Sequence, residues 1–220
     1  MLLEVKHLTY KADRRVILDD VNFQLEAGET VAIIGPSGSG KSTFLKQINN
    51  LISPTKGELL FKGKPYNDYP PEELRSKISY LMQQSQLFGE TIKDNMAFPA
   101  LAHGDDFDEE KAQQLLEKVS LGHYQLNDRI EHLSGGERQR ITIARQLMYR
   151  PEILLLDEST SALDTHNKEK IEDIIFELAR EGVAILWITH SDDESMRYFQ
   201  RRITITDGQI TKEENLNQDE

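Results

Sequence analysis

The sequence contains no cysteine. Disulfides, iron–sulfur clusters and thiolate zinc sites are thereby excluded, and the composition suits a reducing compartment. It also lacks any apolar run near the roughly 18 to 20 residues that a membrane-crossing helix needs. Its best candidates, Ile153–Leu156 and Val183–Ile188, are the size of strands. The N-terminus carries Glu4, Lys6 and His7 where a secretion signal would need an apolar core. Positive charge is scarce: 26 Lys and Arg stand against 38 Asp and Glu, leaving a formal net charge of −12. Affinity for a phosphate backbone rests on concentrated Lys and Arg, so no nucleic acid partner is expected. No internal repeat is evident. What remains is a chain of 220 residues, read as cytoplasmic and long enough for one sizeable domain with an inserted subdomain.

Glycine, by contrast, recurs at short spacing in one stretch. The stretch Gly35-Pro36-Ser37-Gly38-Ser39-Gly40-Lys41-Ser42-Thr43 follows the apolar run Val31–Ile34 and opens into a segment with Phe44, Leu45, Ile48 and Leu51 on one side. Strand, glycine loop and helix in that order form the context of a phosphate-binding P-loop. The three glycines let the backbone curl so that successive N–H groups point inward at an anion. The helix adds its unpaired first-turn N–H groups and the positive end of its dipole. Lys41 is placed to reach the β- and γ-phosphates of a nucleotide, and Ser42 to ligate Mg²⁺.

Around this loop the chain reads as alternating strands and helices. Residues 2–10 form a first strand, followed by Val16–Leu18 and by Val21–Leu25, where Val21, Phe23 and Leu25 alternate with polar residues. Tyr10 sits just before a charged loop and suits strand packing. Beyond the glycine loop, Glu58–Lys62 is a short strand, Pro70–Leu74 a helix start, and Ile78–Met82 a strand ending at Gln83. Residues 84–150 read as a mainly helical insertion between core segments 1–83 and 151–211, with a polar, acidic and mobile tail over 212–220. Ser161–Asp164 leads into a helix through about Ala179, and Ile203–Thr206 with Gln209–Thr211 forms a closing hairpin. The fold class is therefore α/β: a P-loop NTPase (RecA-like) core with an N-terminal antiparallel β-subdomain and an inserted α-helical subdomain.

Several polar residues fall at the ends of strands, where ligands bind in open α/β sheets. The apolar run Ile153–Leu156 ends in Asp157-Glu158, and Val183–Ile188 ends in Thr189-His190. Beside a P-loop, Asp157 is suited to hold Mg²⁺ and the next carboxylate to orient an attacking water. Adjacent acids also suit a solvated turn, and a lone histidine is often structural. Leu133-Ser134-Gly135-Gly136-Glu137-Arg138-Gln139-Arg140 has the Ser-x-x-Glu spacing of a capping box, which by itself requires no more than a helix start.

Taken together and in this order, Gly35–Thr43, Leu133–Arg140, Leu154–Asp164 and Thr189-His190 resemble the ATP-binding subunit of an ABC transporter. The resemblance spans nearly the whole chain. It implies a head-to-tail homodimer enclosing two ATP molecules, each between Lys41 of one subunit and the Ser134–Glu137 segment of the other. By the same likeness Tyr10 stacks on adenine, and Gln83 senses Mg²⁺ and the attacking water. Glu158 is the catalytic base, His190 holds the γ-phosphate and water geometry, and Asp164 lies across the dimer contact. Leu87–Thr91, Asp94-Asn95, Phe98-Pro99 and Ala184–His190 further resemble the iron-export-type (FetA/YbbL-like) group of bacterial ABC ATPases, which work with a separate integral membrane permease. On that likeness the protein is an ATPase peripheral to the inner face of the cell membrane, exporting iron or another metal. Its permease would dock around Gln84–Asn95, with Glu90 and Asp94 in the contact. Ser159 stands where many importer subunits carry proline. The alternatives are the ATPase of a small-solute importer and, in a different class, a soluble ABC ATPase acting on nucleic acid or ribosomes.

Overall fold

Alternation of buried and exposed side chains builds the N-terminal elements. In the computed structural model, which describes residues 1–82, 86–158, 163–189 and 198–216, strand β1 (Leu3–Ala12) pairs antiparallel with β2 (Arg15–Leu25) and with β4 (Lys56–Phe61). With β5 (Lys64–Pro65) they form a four-stranded sheet in the order β2-β1-β4-β5. β2 is one strand where the sequence predicts two. Asp19 and Asp20, which read as a break, lie instead at a register shift: Leu8 pairs with Val21 but Tyr10 with Leu18. One extra residue on β2 is accommodated there with Asp20 at φ 52°, as in a β-bulge.

A second, six-stranded sheet has the order β10-β9-β3-β8-β7-β6. Its strands are β3 (Thr30–Ile34), β6 (Ile78–Leu81), β7 (Ile153–Asp157), β8 (Ala184–Ile188), β9 (Arg201–Thr206) and β10 (Gln209–Asn215). β3 runs parallel to β8 and β9, and β7 parallel to β8. Every residue of β7 and β8 is buried. Covered on both faces, they read in the sequence as unbroken apolar runs. Residues 212–215, expected to belong to a mobile tail, are ordered strand instead. Their charges misled: Glu213 and Glu214 bind Arg201 and Arg202 of β9 across the pair, at 2.7 and 2.9 Å. Charged side chains of this kind are what an edge strand carries.

The chain divides into two compact units. The first comprises Met1–Tyr80, Glu152–Glu158 and Phe176–Glu220. Its core joins Leu3, Leu8 and Phe61 of the first sheet to Ile33, Leu155 and Ile203 of the second, with Phe44, Leu45 and Ile48 from helix α1 (Lys41–Ile48). Leu51 does not share that face. The helix has ended, Asn50 is left-handed at φ 58°, and Leu51 is half exposed. Helix α2 (Pro71–Lys77) begins on its prolines, with Glu72 and Glu73 in the first turn.

The second unit comprises Leu81–Pro151 and Ser159–Ile175. It holds α3 (Ile92–His103), α4 (Glu109–Lys118), α5 (Gly135–Leu147) and the first part of α6 (Thr165–Arg180). α3 and α4 both pack on α5, burying Met96, Ala100, Ala112, Leu116, Ile141 and Ala144. Each of these three helices starts on a side-chain cap, from Thr91, Asp108 and Ser134.

Gly35, the first residue after β3, fixes how the loop leaves the sheet. Its φ is 142°, and a Cβ there would lie 2.0 Å from the carbonyl oxygen of Ile205 on β9. Strain and collision together should cost about 3 kcal/mol or more in Gly35→Ala. At roughly 2–4 °C per kcal/mol for a chain of this size, the melting temperature should fall by about 6 °C or more. An unchanged melting curve would refute the close approach.

Candidate active site

Between β3 and α1 the backbone turns through three left-handed glycines, Gly35, Gly38 and Gly40, at φ 142°, 78° and 104°. Gly40 is pressed against β2: a Cβ there would lie 2.8 Å from the Ile17 carbonyl oxygen and 2.9 Å from Leu18 Cδ2. Gly40 caps α1 without any side-chain hydrogen bond, and no acid stands in the first turn. The first-turn N–H groups and the positive helix end are therefore left to an anion. Lys41 Nζ donates to the carbonyl oxygens of Gly35 at 2.8 Å and Pro36 at 2.9 Å, so its ammonium lies along the loop. Pro36, Ser37 and Gly38 are exposed at the turn, and Lys41, Ser42 and Thr43 are half-buried. Ser39 is buried, and its Oγ has no hydrogen-bond partner among the described residues.

Asp157 ends β7 at 6% exposure. Its two oxygens are each held by a hydroxyl: Ser42 Oγ donates to Oδ1 at 3.0 Å and the Tyr80 phenol to Oδ2 at 2.7 Å. Burial drives the Tyr80 hydroxyl far above its ordinary pKa, and the bond to Asp157 and its charge add to the effect. Tyr80 is a member of the site that sequence reasoning missed. In the run Ile78–Met82 it reads as core, and no signal in the sequence gives its hydroxyl a partner. Glu158, the next residue, is left-handed at φ 47°, a conformation uncommon outside glycine and enriched at functional positions. The hydroxyl and carboxylate oxygens of Ser42 and Asp157 are hard ligands of the kind Mg²⁺ takes. No group of three or more His, Cys, Asp or Glu fit to cage a metal exists among the described residues.

In the second unit, the sequence Ser134–Glu137 does form the capping box that its spacing predicts. Glu137 Oε2 accepts from the Ser134 N–H at 2.8 Å and the Ser134 hydroxyl at 2.7 Å, while Oε1 accepts from the Tyr124 hydroxyl at 2.9 Å. Burial alone would raise the Glu137 carboxyl, but the hydrogen bonds from Ser134 and Tyr124 outweigh it and hold the group below its ordinary value. Gly135 is different. It is exposed, it is not among the left-handed residues, and a Cβ on it would meet nothing within 4 Å. One turn on, the buried Arg140 donates to the carbonyl oxygens of Val119 and Ser120 and to Asn167 Oδ1, at 3.0–3.1 Å. Asn167 in turn donates its backbone N–H and side-chain amide to the Asp164 carboxylate at 3.1 and 2.6 Å. Those two bonds hold Asp164, which is exposed, below its usual pKa.

The remaining expected site residues are placed less tellingly. Tyr10 is half-buried on β1, opposite Leu18, and packs against the core of the first unit. Gln83 and His190 lie outside the described residues.

A glycine cradle between an inner parallel strand and an uncapped helix, with a hydroxyl on that helix bonded to a buried strand-end acid, defines a P-loop nucleotide hydrolase. Comparison with known proteins narrows the class. Residues 18–161 match the family model described as ABC transporter. Over 194 residues the chain is 44% identical to the probable iron export ATP-binding protein FetA of Escherichia coli (strain K12), covering 88% of this chain and 86% of that protein. It is 35% identical to the energy-coupling factor transporter ATP-binding protein EcfA of Methanothermobacter thermautotrophicus, covering 96% of this chain and 70% of that one. Its fold matches the dimeric, post-hydrolysis ATP-binding cassette MJ0796 bound to ADP and Pi with a TM-score of 0.88 and 32% identity, over 98% of this chain and 99% of that one. The chain belongs to the ABC transporter family, as an ATP-binding subunit that hydrolyses ATP in transport.

If Lys41 contributes a charged hydrogen bond to the bound phosphates, Lys41→Ala should weaken ATP binding by about tenfold or more. Titration with a fluorescent ATP analogue measures this. An unchanged Kd would contradict the cradle assignment.

Proposed function

We propose that this chain is the motor of a transporter in which two copies close head-to-tail on two ATP molecules and reopen after hydrolysis. In each site the backbone N–H groups of residues 35–43 and Lys41 hold the β- and γ-phosphates of a nucleotide whose adenine stacks on Tyr10. Lys41 exchanges the Gly35 and Pro36 carbonyls for phosphate oxygens as the nucleotide enters. Ser42 and Asp157, joined by Gln83, hold Mg²⁺, which when bound neutralises charge building on the phosphate oxygens. Glu158 takes a proton from the attacking water, Gln83 and His190 fix that water against the γ-phosphorus, and the β–γ phosphoanhydride bond breaks to give ADP and phosphate. Ser134 and the N–H groups of Gly135 and Gly136 come from the second copy and face the γ-phosphate, while Asp164 lies at the contact between copies.

The observation that carries the two-copy reading is Gly135. A capping box accounts for Ser134 and Glu137, but neither backbone conformation nor neighbouring atoms of the described chain demand glycine at the first position of α5. In a helix, glycine costs up to about 1 kcal/mol relative to alanine. A bare backbone there is accounted for by something that approaches from outside, and a phosphate group fits the positive helix end. The likeness to a dimeric cassette bound to ADP and Pi supports the same reading.

For the direction of transport, the likeness to FetA at 44% identity supports export, with iron or another metal as the cargo. Among the described residues no helix is long and apolar enough to cross a membrane, which accords with a separate permease holding the chain at the inner face. Its docking surface lies on the second unit, where Phe88, Phe98 and Leu101 are 42%, 49% and 77% exposed. The rings of Phe88 and Phe98 meet edge-on at 5.1 Å, with the Arg145 guanidinium 5.4 Å from Phe88. Asp94 is less suited to contact a partner than its position implies. Its carboxylate accepts the N–H groups of Glu90 and Thr91, both at 2.8 Å, so that it caps α3.

Glu158→Gln should still bind ATP and should form a persistent dimer with little hydrolysis, read by light scattering and phosphate release. Near-normal turnover would remove Glu158 as the base, and a protein that stays monomeric at saturating Mg-ATP would overturn the motor reading. On the docking surface, Phe98→Glu with Leu101→Glu should leave ATP binding intact but weaken co-purification with the membrane subunit by about tenfold or more. Retention at the wild-type level would move the permease elsewhere.

A further inference from the structure

We propose that Tyr80 is a positioning residue for the nucleotide's divalent cation, acting through Asp157. The inference rests on the reading of Ser42 and Asp157 as the residues that hold that cation. Asp157 is a buried carboxylate, and its oxygens require donors because water does not reach them freely. The two side-chain donors it has among the described residues are not equivalent. Ser42 stands in the first turn of α1, and its hydroxyl turns about a single bond. A cation held by Ser42 and Asp157 competes for the two oxygens that face each other across 3.0 Å, so this hydrogen bond is the one that yields.

Tyr80 has no such freedom. Its ring is 9% exposed within β6, a strand of the same sheet as β7, and its rigid phenol brings the hydroxyl 2.7 Å from Oδ2. With Ser42 turned to the cation, the Tyr80 bond still fixes the plane of the carboxylate and leaves Oδ1 directed at the site. Packing does not account for the oxygen. Phenylalanine would fill the same space among Ile78, Leu155 and the other apolar residues of this core. Hydroxyl and carbonyl partners of metal-binding carboxylates act in this way, and their loss typically lowers metal affinity by about 10–100-fold.

The test uses Mn²⁺ as the cation, read by electron paramagnetic resonance in the presence of a non-hydrolysable ATP analogue, with no turnover required. Tyr80→Phe should bind Mn²⁺ about tenfold more weakly than wild type, the lower end of that range because the phosphates still supply ligands. The melting temperature should fall by a few degrees, because the buried Asp157 loses a donor, with the chain still folded at the assay temperature. In an Asp157→Asn background, Tyr80→Phe should cause no further loss, because the route through the carboxylate is already gone. Equal Mn²⁺ affinity in Tyr80→Phe and wild type, or the same loss in both backgrounds, would overturn the proposal and leave the Ser42–Asp157 reading standing. Nucleotide-dependent Mn²⁺ binding that is absent in wild type would overturn both. Should Tyr80→Phe fail to fold, 3-fluorotyrosine placed at position 80 keeps the hydroxyl. Its ¹⁹F resonance should shift when Mg²⁺ is added to the nucleotide-bound protein, and an unmoved resonance would count against the proposal.

Discussion

A triphosphate brings several negative charges into one small volume, and on the proposed reading the first unit answers with backbone N–H groups rather than with many basic side chains. That choice imposes a constraint: the loop must hold a curl that only glycine allows at Gly35, Gly38 and Gly40. The curl is clamped from outside. Ile205 on β9 abuts Gly35, and Ile17 on β2 abuts Gly40. The Gly208 N–H, in the turn between β9 and β10, donates to the Ser39 carbonyl at 3.0 Å. Both sheets thus press on one loop, and the antiparallel sheet is as much a wall of the cradle as the parallel one. On the proposed reading, a chain with net charge −12 binds a polyanion at this point because peptide dipoles, fixed in place, require no rearrangement when the charge arrives.

How much of this was legible in the sequence depends on whether a feature is local. The glycine loop, the buried strand ending in Asp157-Glu158 and the Ser134–Glu137 cap are each written within a few neighbouring residues, and the structure shows each one in place. What sequence reading lost is set by contacts between distant segments. Asp19 and Asp20 read as a break because a bulge is defined by its partner strand. Lys212–Asn215 read as a solvated tail because the arginines that pair with it lie on β9. Tyr80 is the sharpest case. Nothing in Ile78–Met82 tells a core tyrosine from one whose hydroxyl finds an acid 77 residues away.

The helix tip at Ser134 shows why a local explanation, once found, should be tested against each residue it claims to cover. Ser134 and Glu137 satisfy each other, and a cap of this kind stabilises a helix by about 1 kcal/mol. Tyr124 strengthens the arrangement by donating to the remaining Glu137 oxygen. The cap therefore needs no ligand to exist. It does, however, leave the Ser134 Oγ and the exposed backbone of Gly135 at the positive end of a helix of 13 residues. Local stability and the proposed phosphate recognition are compatible uses of the same four residues, and the cap does not account for the glycine at position 135.

The placement of these parts ties chemistry to assembly. On the proposed reading, the groups that bind and cleave ATP, Gln83 apart, stand in the first unit, and the tip that completes the site stands in the second unit of another copy. Neither copy then has a complete site, and hydrolysis reports that two copies have met. The buried Arg140 gives this logic a physical route within the second unit: it rises from the helix that begins at Gly135 and grips Asn167, which holds Asp164. The tip proposed to face phosphate and the acid proposed at the contact between copies are thus joined through two residues, Arg140 and Asn167, of which Arg140 is buried.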